Sequence, residues 1–215
     1  MPTTLKKLHA RFRSRLSTLD SAFDRSVVSP SVYRRLDRSA LQEGLVSSLW
    51  QTWCAFCRQI VIASTAGTVT ANGMNTASAF IGRPEAEIAY AAMQLARSRP
   101  IGVIRPIGGH HLEPTWGDLN KFSLIVAGLA PTNRNAMLTA LGACVLIPDL
   151  QLCRNSSAHI SAEGIRQLRT ASVRYSNPKF DHPSDLIFWI DPSTQDYVWK
   201  TWIDEAEIFS DFAIL

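Results

Sequence analysis

The chain has 215 residues, 46% hydrophobic and 19% charged, with a formal net charge of +4. This is ordinary globular composition, enough for one sizeable domain. No apolar run reaches the roughly 18 residues of a membrane span, and MPTTLKKLHARFRSRL lacks the apolar core of a secretory signal, so a cytoplasmic protein with no membrane role is expected.

The charge is unevenly spread. Residues 1–38 carry nine Lys/Arg against three acids, residues 39–180 twelve against seven, and residues 181–215 one against eight. A basic body with an acidic tail suits a polyanionic partner. Leu5, Leu8, Phe12, Leu16, Leu19 and Phe23 step by three and four, which predicts an amphipathic helix. Arg11, Arg13 and Arg15 fall mainly off that stripe and form a candidate track for RNA phosphates, with a solvated helix face as the alternative. SVVSP at 26–30 ends the helix, because Pro30 disfavours helical geometry in the residue before it.

The second helix is the longest. Ser39 and Gln42 read as a capping box, and Leu41, Leu45, Leu49, Trp53, Phe56 and Ile60 continue the helical step, widened by Trp50. This helix is expected at the centre of a bundle, with Glu43 as its polar exception. Cys54 and Cys57 lie within its apolar run. With Cys144 and Cys153, they read as reduced core thiols rather than zinc ligands.

TAGTVTANGMNTASAFIG (65–82) has no helical period and reads as a loop. Residues 83–100 are helical, with Pro84 in the first turn, Glu85 and Glu87 at the start, and Arg97 and Arg99 at the end. An irregular connection (101–116) precedes two short helices, GDLNKFSLIVAGLA and PTNRNAMLTALGA, the second with Gly142 as a C-cap. Pro148 and Asp149 open another helix, and Ser161 starts the next. In the tail, LIFWI, DPSTQ and DYVWKTWI suggest a β-hairpin around a proline-led turn, and DEAEIFSDFAIL a closing helix. The expectation is an all-α helical bundle spanning 1–215 as one domain. It comprises an N-terminal amphipathic region (1–36), a helical core (37–175) and an acidic extension (176–215) forming a small hairpin or irregular appendage.

The chemistry centres on CRNSSAH (153–159). An arginine and an asparagine are separated from a histidine by three small residues, at the end of an apolar helical stretch. With 17 arginines, five histidines and some freedom in spacing, about one such Arg–His match is expected by chance. Arg105-Pro-Ile-Gly-Gly-His110 is such a match, in a Pro/Gly loop with no helix to fix either side chain. Residues five apart lie about 140° apart around an ideal helix. Arg154 and His159 therefore converge only if the helix ends or bends between them, or if a second copy of the motif completes the pocket.

"DLQLCRNSSAHI", in an otherwise helical chain, resembles the R-N-x-x-A-H form of the motif in the HEPN superfamily. The resemblance implies a HEPN-like helical bundle and a metal-independent endoribonuclease that attacks RNA through its 2′-hydroxyl. In that role Arg154 holds the phosphate, His159 moves protons, and Asn155 orients the phosphate or the imidazole. Glu43 becomes a candidate acidic helper, since HEPN sites sometimes recruit one from another helix. The resemblance also implies a homodimer with facing motifs, no metal or cofactor, and a toxin or phage-defence role restrained by an antitoxin or sensor partner. The alternative it carries is a catalytically inactive HEPN interaction module that docks an ATPase or nucleotidyltransferase.

Overall fold

Apolar residues stepping by three and four close into buried helix faces along most of the chain. In a computed structural model, residues 4–28, 35–158, 161–175 and 179–215 are described, those at 35–39 by their backbone alone. The fold is all-α. Its helices are α1 (Leu5–Val28), α2 (Arg35–Ala66), α3 (Glu85–Ala96), α4 (Leu119–Leu129), α5 (Arg134–Ala140), α6 (Ile147–Ala158), α7 (Ala162–Ala171), α8 (Pro183–Ile187) and α9 (Val198–Ala213). Among the described residues, β pairing is limited to two isolated antiparallel bridges, Val69 with Asn75 and Ile190 with Tyr197. No single helix there is long and apolar enough to cross a membrane.

Two compact units are distinguishable. One comprises Met1–Arg13, Thr52–Ala143 and Ile208–Leu215; the other comprises Ser14–Gln51 and Cys144–Glu207. In the first, Phe12 stacks on Phe56 with ring centroids 4.1 Å apart, and Trp53 and Phe122 meet Phe209 edge-on at 4.8 and 5.6 Å. Such offset and edge contacts are the favoured aromatic geometries. The Trp53 indole is fully buried and donates to the Gly117 carbonyl at 3.0 Å. The loop after α2 is tied down: Thr76 accepts from the Thr68 amide, and the Ala71 amide donates to the Ile214 carbonyl at 2.8 Å.

Helices α3 and α4 pack closely because Gly128 has no side chain. A Cβ there would run into the side chain of Leu95. Gly128→Ala gains about 1 kcal/mol of helix propensity but forces an overpacked contact costing about 1–3 kcal/mol. The net expectation is a fall in melting temperature of roughly 2–4 °C by differential scanning calorimetry.

In the second unit, Phe23 stacks on Trp199 (4.9 Å, 7° between planes) and on Phe188 (5.7 Å). Asp20 accepts from the Trp199 indole at 3.1 Å and from Lys200 Nζ at 2.7 Å. All six stripe residues of α1 are buried, as are Leu45, Leu49, Trp50, Trp53, Phe56 and Ile60 of α2.

Several expectations are corrected. Helix α2 starts at Arg35, four residues before Ser39, so Ser39 lies within the helix and is not its cap. The predicted break at Pro30 lies outside the described residues. Gly142 sits in a 3-10 turn (Leu141–Ala143) after α5, and the backbone shows no left-handed conformation there. The tail hairpin is reduced to the Ile190–Tyr197 bridge around the predicted turn. LeuIle of the first predicted strand ends α8, and most of the second lies in α9. The physical reason is that Trp199, Trp202, Ile203, Ala206 and Phe209 follow one helical stripe and are all buried.

Candidate functional site

Helix α6 carries the Arg154 motif and is anchored along its length within the second unit. Its N-terminal amides need partners, and Glu205 of α9 supplies them. The Glu205 carboxylate accepts from the Leu146 amide at 2.8 and 2.9 Å and from the Ile147 amide at 3.0 Å. Burial pushes the Glu205 carboxyl up to about 7, against these backbone bonds, which favour the charged form; nearby Asp149 raises it further.

One turn on, Asp149 is buried. It accepts from the Tyr175 hydroxyl at 2.6 Å, from Arg174 Nε at 3.1 Å and from Arg174 Nη2. Burial and the charge of Asp149 hold the Tyr175 phenol well above its ordinary range. Tyr175→Phe keeps the ring packed on Trp189 and removes only the hydroxyl. It is expected to cost about 1–2 kcal/mol in urea unfolding, with no change in helix content by circular dichroism.

About one turn further along α6, Cys153 is fully buried, and its thiol donates to the Pro183 carbonyl at 3.5 Å. Burial raises the pKa of this thiol, and that of Cys144 to about 12, as expected for core thiols. Cys57 is also buried and Cys54 half-buried, and none of the four is in a disulfide.

At the C-terminal end of α6, Arg154 is half-buried and Asn155 is exposed. Arg154 Nη1 donates to Asn155 Oδ1 at 3.1 Å. Arg154 Nε is buried with no hydrogen-bond partner. Among the described residues no carboxylate lies within ion-pair distance of this guanidinium, as is also true of Arg25 in the last turn of α1 and Arg97 at the end of α3, whereas Arg58, Arg83, Arg166, Arg169 and Arg174 have one.

Small as it is, Ser156 does not leave open space beside Arg154. It is 2% exposed, its hydroxyl has no partner, and a Cβ on Gly164 of α7 would sit 3.1 Å from its Oγ. Ser156 is therefore where α7 approaches α6. Ser157 folds back onto the Cys153 carbonyl at 2.9 Å. Ser161 caps α7 as predicted, accepting from the Gly164 amide at 3.1 Å. His159 lies outside the described residues, so the described motif is Arg154–Ala158.

Glu43 is half-buried near the start of α2, in the same unit as Arg154; no described contact joins the two. On α1, Arg11 and Arg15 are exposed, and Arg13 lies 3.9 Å from Asp211. Asp211 also meets His9 at 2.8 Å.

The second Arg-x4-His copy is less loosely held than its sequence implies. Arg105 sits over the Tyr90 ring, 5.2 Å from the centroid. His110 opens a 3-10 turn (His110–Leu112), and its Nδ1 lies 2.7 Å from Glu113 Oε1. The buried Glu113 side chain also accepts from Arg58 Nε (2.6 Å) and Nη2 (2.8 Å) and from the Trp116 indole (2.8 Å). Burial opposes ionisation of Glu113, but the bonds from Arg58, Trp116 and His110 outweigh it and hold the carboxyl below its ordinary range. Sequence reasoning missed this network and the Glu205 cap. The available signal was Glu113 three residues after His110, the spacing of one helical turn. Among the described residues, no cluster of three or more His, Cys, Asp or Glu is arranged to hold a metal ion.

Comparisons of the chain with family models, with curated proteins and with solved structures find no match.

Proposed function

We propose that this chain is a metal-independent endoribonuclease of the HEPN type, with Arg154, Asn155 and His159 as its working residues. The observation that carries the reading is the state of Arg154. It is a permanently charged group, half-buried at the end of an anchored helix, braced by Asn155 and left without a carboxylate partner among the described residues. A desolvated guanidinium donor without an acceptor favours an anionic ligand, and a phosphate matches its planar fork.

The reaction needs no outside nucleophile. The ribose 2′-oxygen attacks the adjacent phosphorus as its proton leaves, the bond from phosphorus to the 5′-oxygen breaks, and that oxygen takes up a proton. The products are a 2′,3′-cyclic phosphate and a 5′-hydroxyl. Arg154 offsets the charge that develops on the phosphorane oxygens, and His159 is suited to proton transfer near neutral pH. Two proton transfers are required, and the reading assigns the second to a facing motif in a homodimer. A cytoplasmic toxin or phage-defence effector, held in check by an antitoxin or sensor protein, is the accompanying biological proposal.

The test is incubation of the purified chain with total RNA in EDTA, followed by chemistry of the fragment ends. Cleavage leaving cyclic phosphates supports the reading. Persistent absence of cleavage, with or without the natural trigger, favours the non-catalytic interaction module.

A further inference from the structure

The charge of the chain is divided unequally between its two units. The first carries eleven Lys/Arg against five acids, and the second eleven against thirteen. Each acid of the first unit (Glu85, Glu87, Glu113, Asp118 and Asp211) already lies within ion-pair distance of a cation. The positive excess of this unit therefore sits on side chains outside those pairs, and part of it gathers at α3.

Tyr90, Met93 and Arg97 follow one stripe of α3 at steps of three and four. At one end of the stripe Arg105 sits over the Tyr90 ring, 5.2 Å from the centroid, a contact that holds the guanidinium against α3. About two turns on, roughly 10 Å along the helix, Arg97 and Lys121 of α4 line one cleft of about 250 Å³, with residues 112–115 as another wall. Arg97 and Arg105 are exposed, and no described carboxylate reaches either. Lys121 Nζ is 3.5 Å from Asp118 Oδ2, with its side chain 40% exposed. Glu113, in the cleft wall, has a side chain only 5% exposed, and Arg58 offsets its charge. The dipole of α3 accounts for a cation in its last turn. It does not account for Lys121, brought to the same cleft from α4, or for Arg105, braced two turns back.

We propose that this face of α3 binds the phosphate backbone of an RNA strand, with one phosphate between Arg97 and Lys121 and another at Arg105. The choice of RNA as the polyanion rests on the RNA-cleaving reading. Guanidinium groups suit phosphate oxygens, and contacts to the backbone carry no base information, so binding tolerates changes of sequence. Lys7 and Arg11 of α1 are exposed as well and form the competing track.

The test is fluorescence anisotropy of the full chain with a labelled single-stranded 2′-O-methyl RNA of about 16 nucleotides, between about 50 and 200 mM salt. The probe lacks the attacking 2′-hydroxyl, so binding is read without cleavage. Saturable binding is expected, with log affinity falling linearly against log salt. Arg97→Ala/Lys121→Ala and Arg105→Ala are each expected to flatten that slope by about 0.7, the single-strand value for one phosphate contact. The double variant is also expected to weaken binding about tenfold at the lower salt. Arg166→Ala, which removes an exposed cation of the second unit, is expected to leave the slope unchanged. All these side chains reach the surface, and unchanged melting separates lost binding from unfolding. No saturable binding overturns the proposal, as does a slope untouched by the substitutions at α3 or lowered only by Lys7→Ala/Arg11→Ala. Binding of phosphatidylserine vesicles in preference to RNA overturns it too. Cleavage of RNA in EDTA is read separately. Binding through this face without cleavage sinks the Arg154 reading alone, and cleavage with the slope unmoved sinks this proposal alone.

Discussion

Arg154→Ala is expected to lower the rate of RNA cleavage in EDTA by about 10²–10³-fold, the scale seen when one preorganised charge-stabilising donor is removed. The loss should fall on kcat, because the charge that Arg154 meets grows between bound RNA and the phosphorane. Arg154→Lys separates charge from shape. Lysine keeps the charge but has no planar fork, so a partial rescue within about tenfold of alanine is expected. His159→Ala should cost a similar factor, since proton transfer contributes about 10²–10⁴-fold. Asn155→Ala should cost less, because it removes a brace on the guanidinium, a single bond of 3.1 Å. Cleavage that persists unchanged in Arg154→Ala would assign the nuclease to something other than this motif. Melting of each variant controls for folding: Arg154 makes no described ion pair, so its replacement should cost the fold little.

The parts of this protein legible in its sequence are those written by local periodicity. The stripe from Leu5 to Phe23 and the one from Leu45 to Ile60 both mark buried faces, because burial at steps of three and four leaves few alternatives to a helix. Ser161 is legible as a cap because its partner, the Gly164 amide, is three residues away. The tail departs from its strand-like pattern where two periods compete. Asp196-Tyr197-Val198-Trp199 alternates like a strand, yet the longer stripe through Trp202, Ile203, Ala206 and Phe209 decides the outcome. What stayed illegible joins residues distant in the chain. Glu205 meets the amides of Leu146 and Ile147 nearly sixty positions earlier, and Arg58 meets Glu113 fifty-five positions later. Nothing in a single sequence pairs such residues. The candidate site divides the same way: Arg154 and Asn155 are visible as a motif, but the missing carboxylate partner of Arg154 is a property of the folded surroundings.

The Glu205 cap makes a pH-dependent prediction whose sign is fixed by its burial. The folded carboxyl titrates at about 7, against an ordinary value of 4.5. The folded state therefore binds the proton more tightly than the unfolded chain, and stability associated with this group is greatest below pH 4.5 and is lost as pH rises through 7. Acidification from pH 8 to pH 5 should raise the unfolding free energy by on the order of 2–3 kcal/mol from this group. The groups sharing its surroundings are Asp149, Cys144 and Tyr175, with Arg174 bound to Asp149. Glu205→Gln keeps a carbonyl oxygen for the Leu146 and Ile147 amides and removes the titration, so its stability should stay flat where the wild type changes. Glu205→Ala also removes the acceptor and leaves those amides without their partner, which should cost about 2–4 kcal/mol even at pH 5. Urea melts of the three proteins at pH 5 and pH 8 give the comparison. A Glu205→Gln protein with the same pH slope as the wild type would move the titration to another group. A Glu205→Ala protein as stable as the wild type would mean that α6 does not depend on α9 for its N-terminal cap.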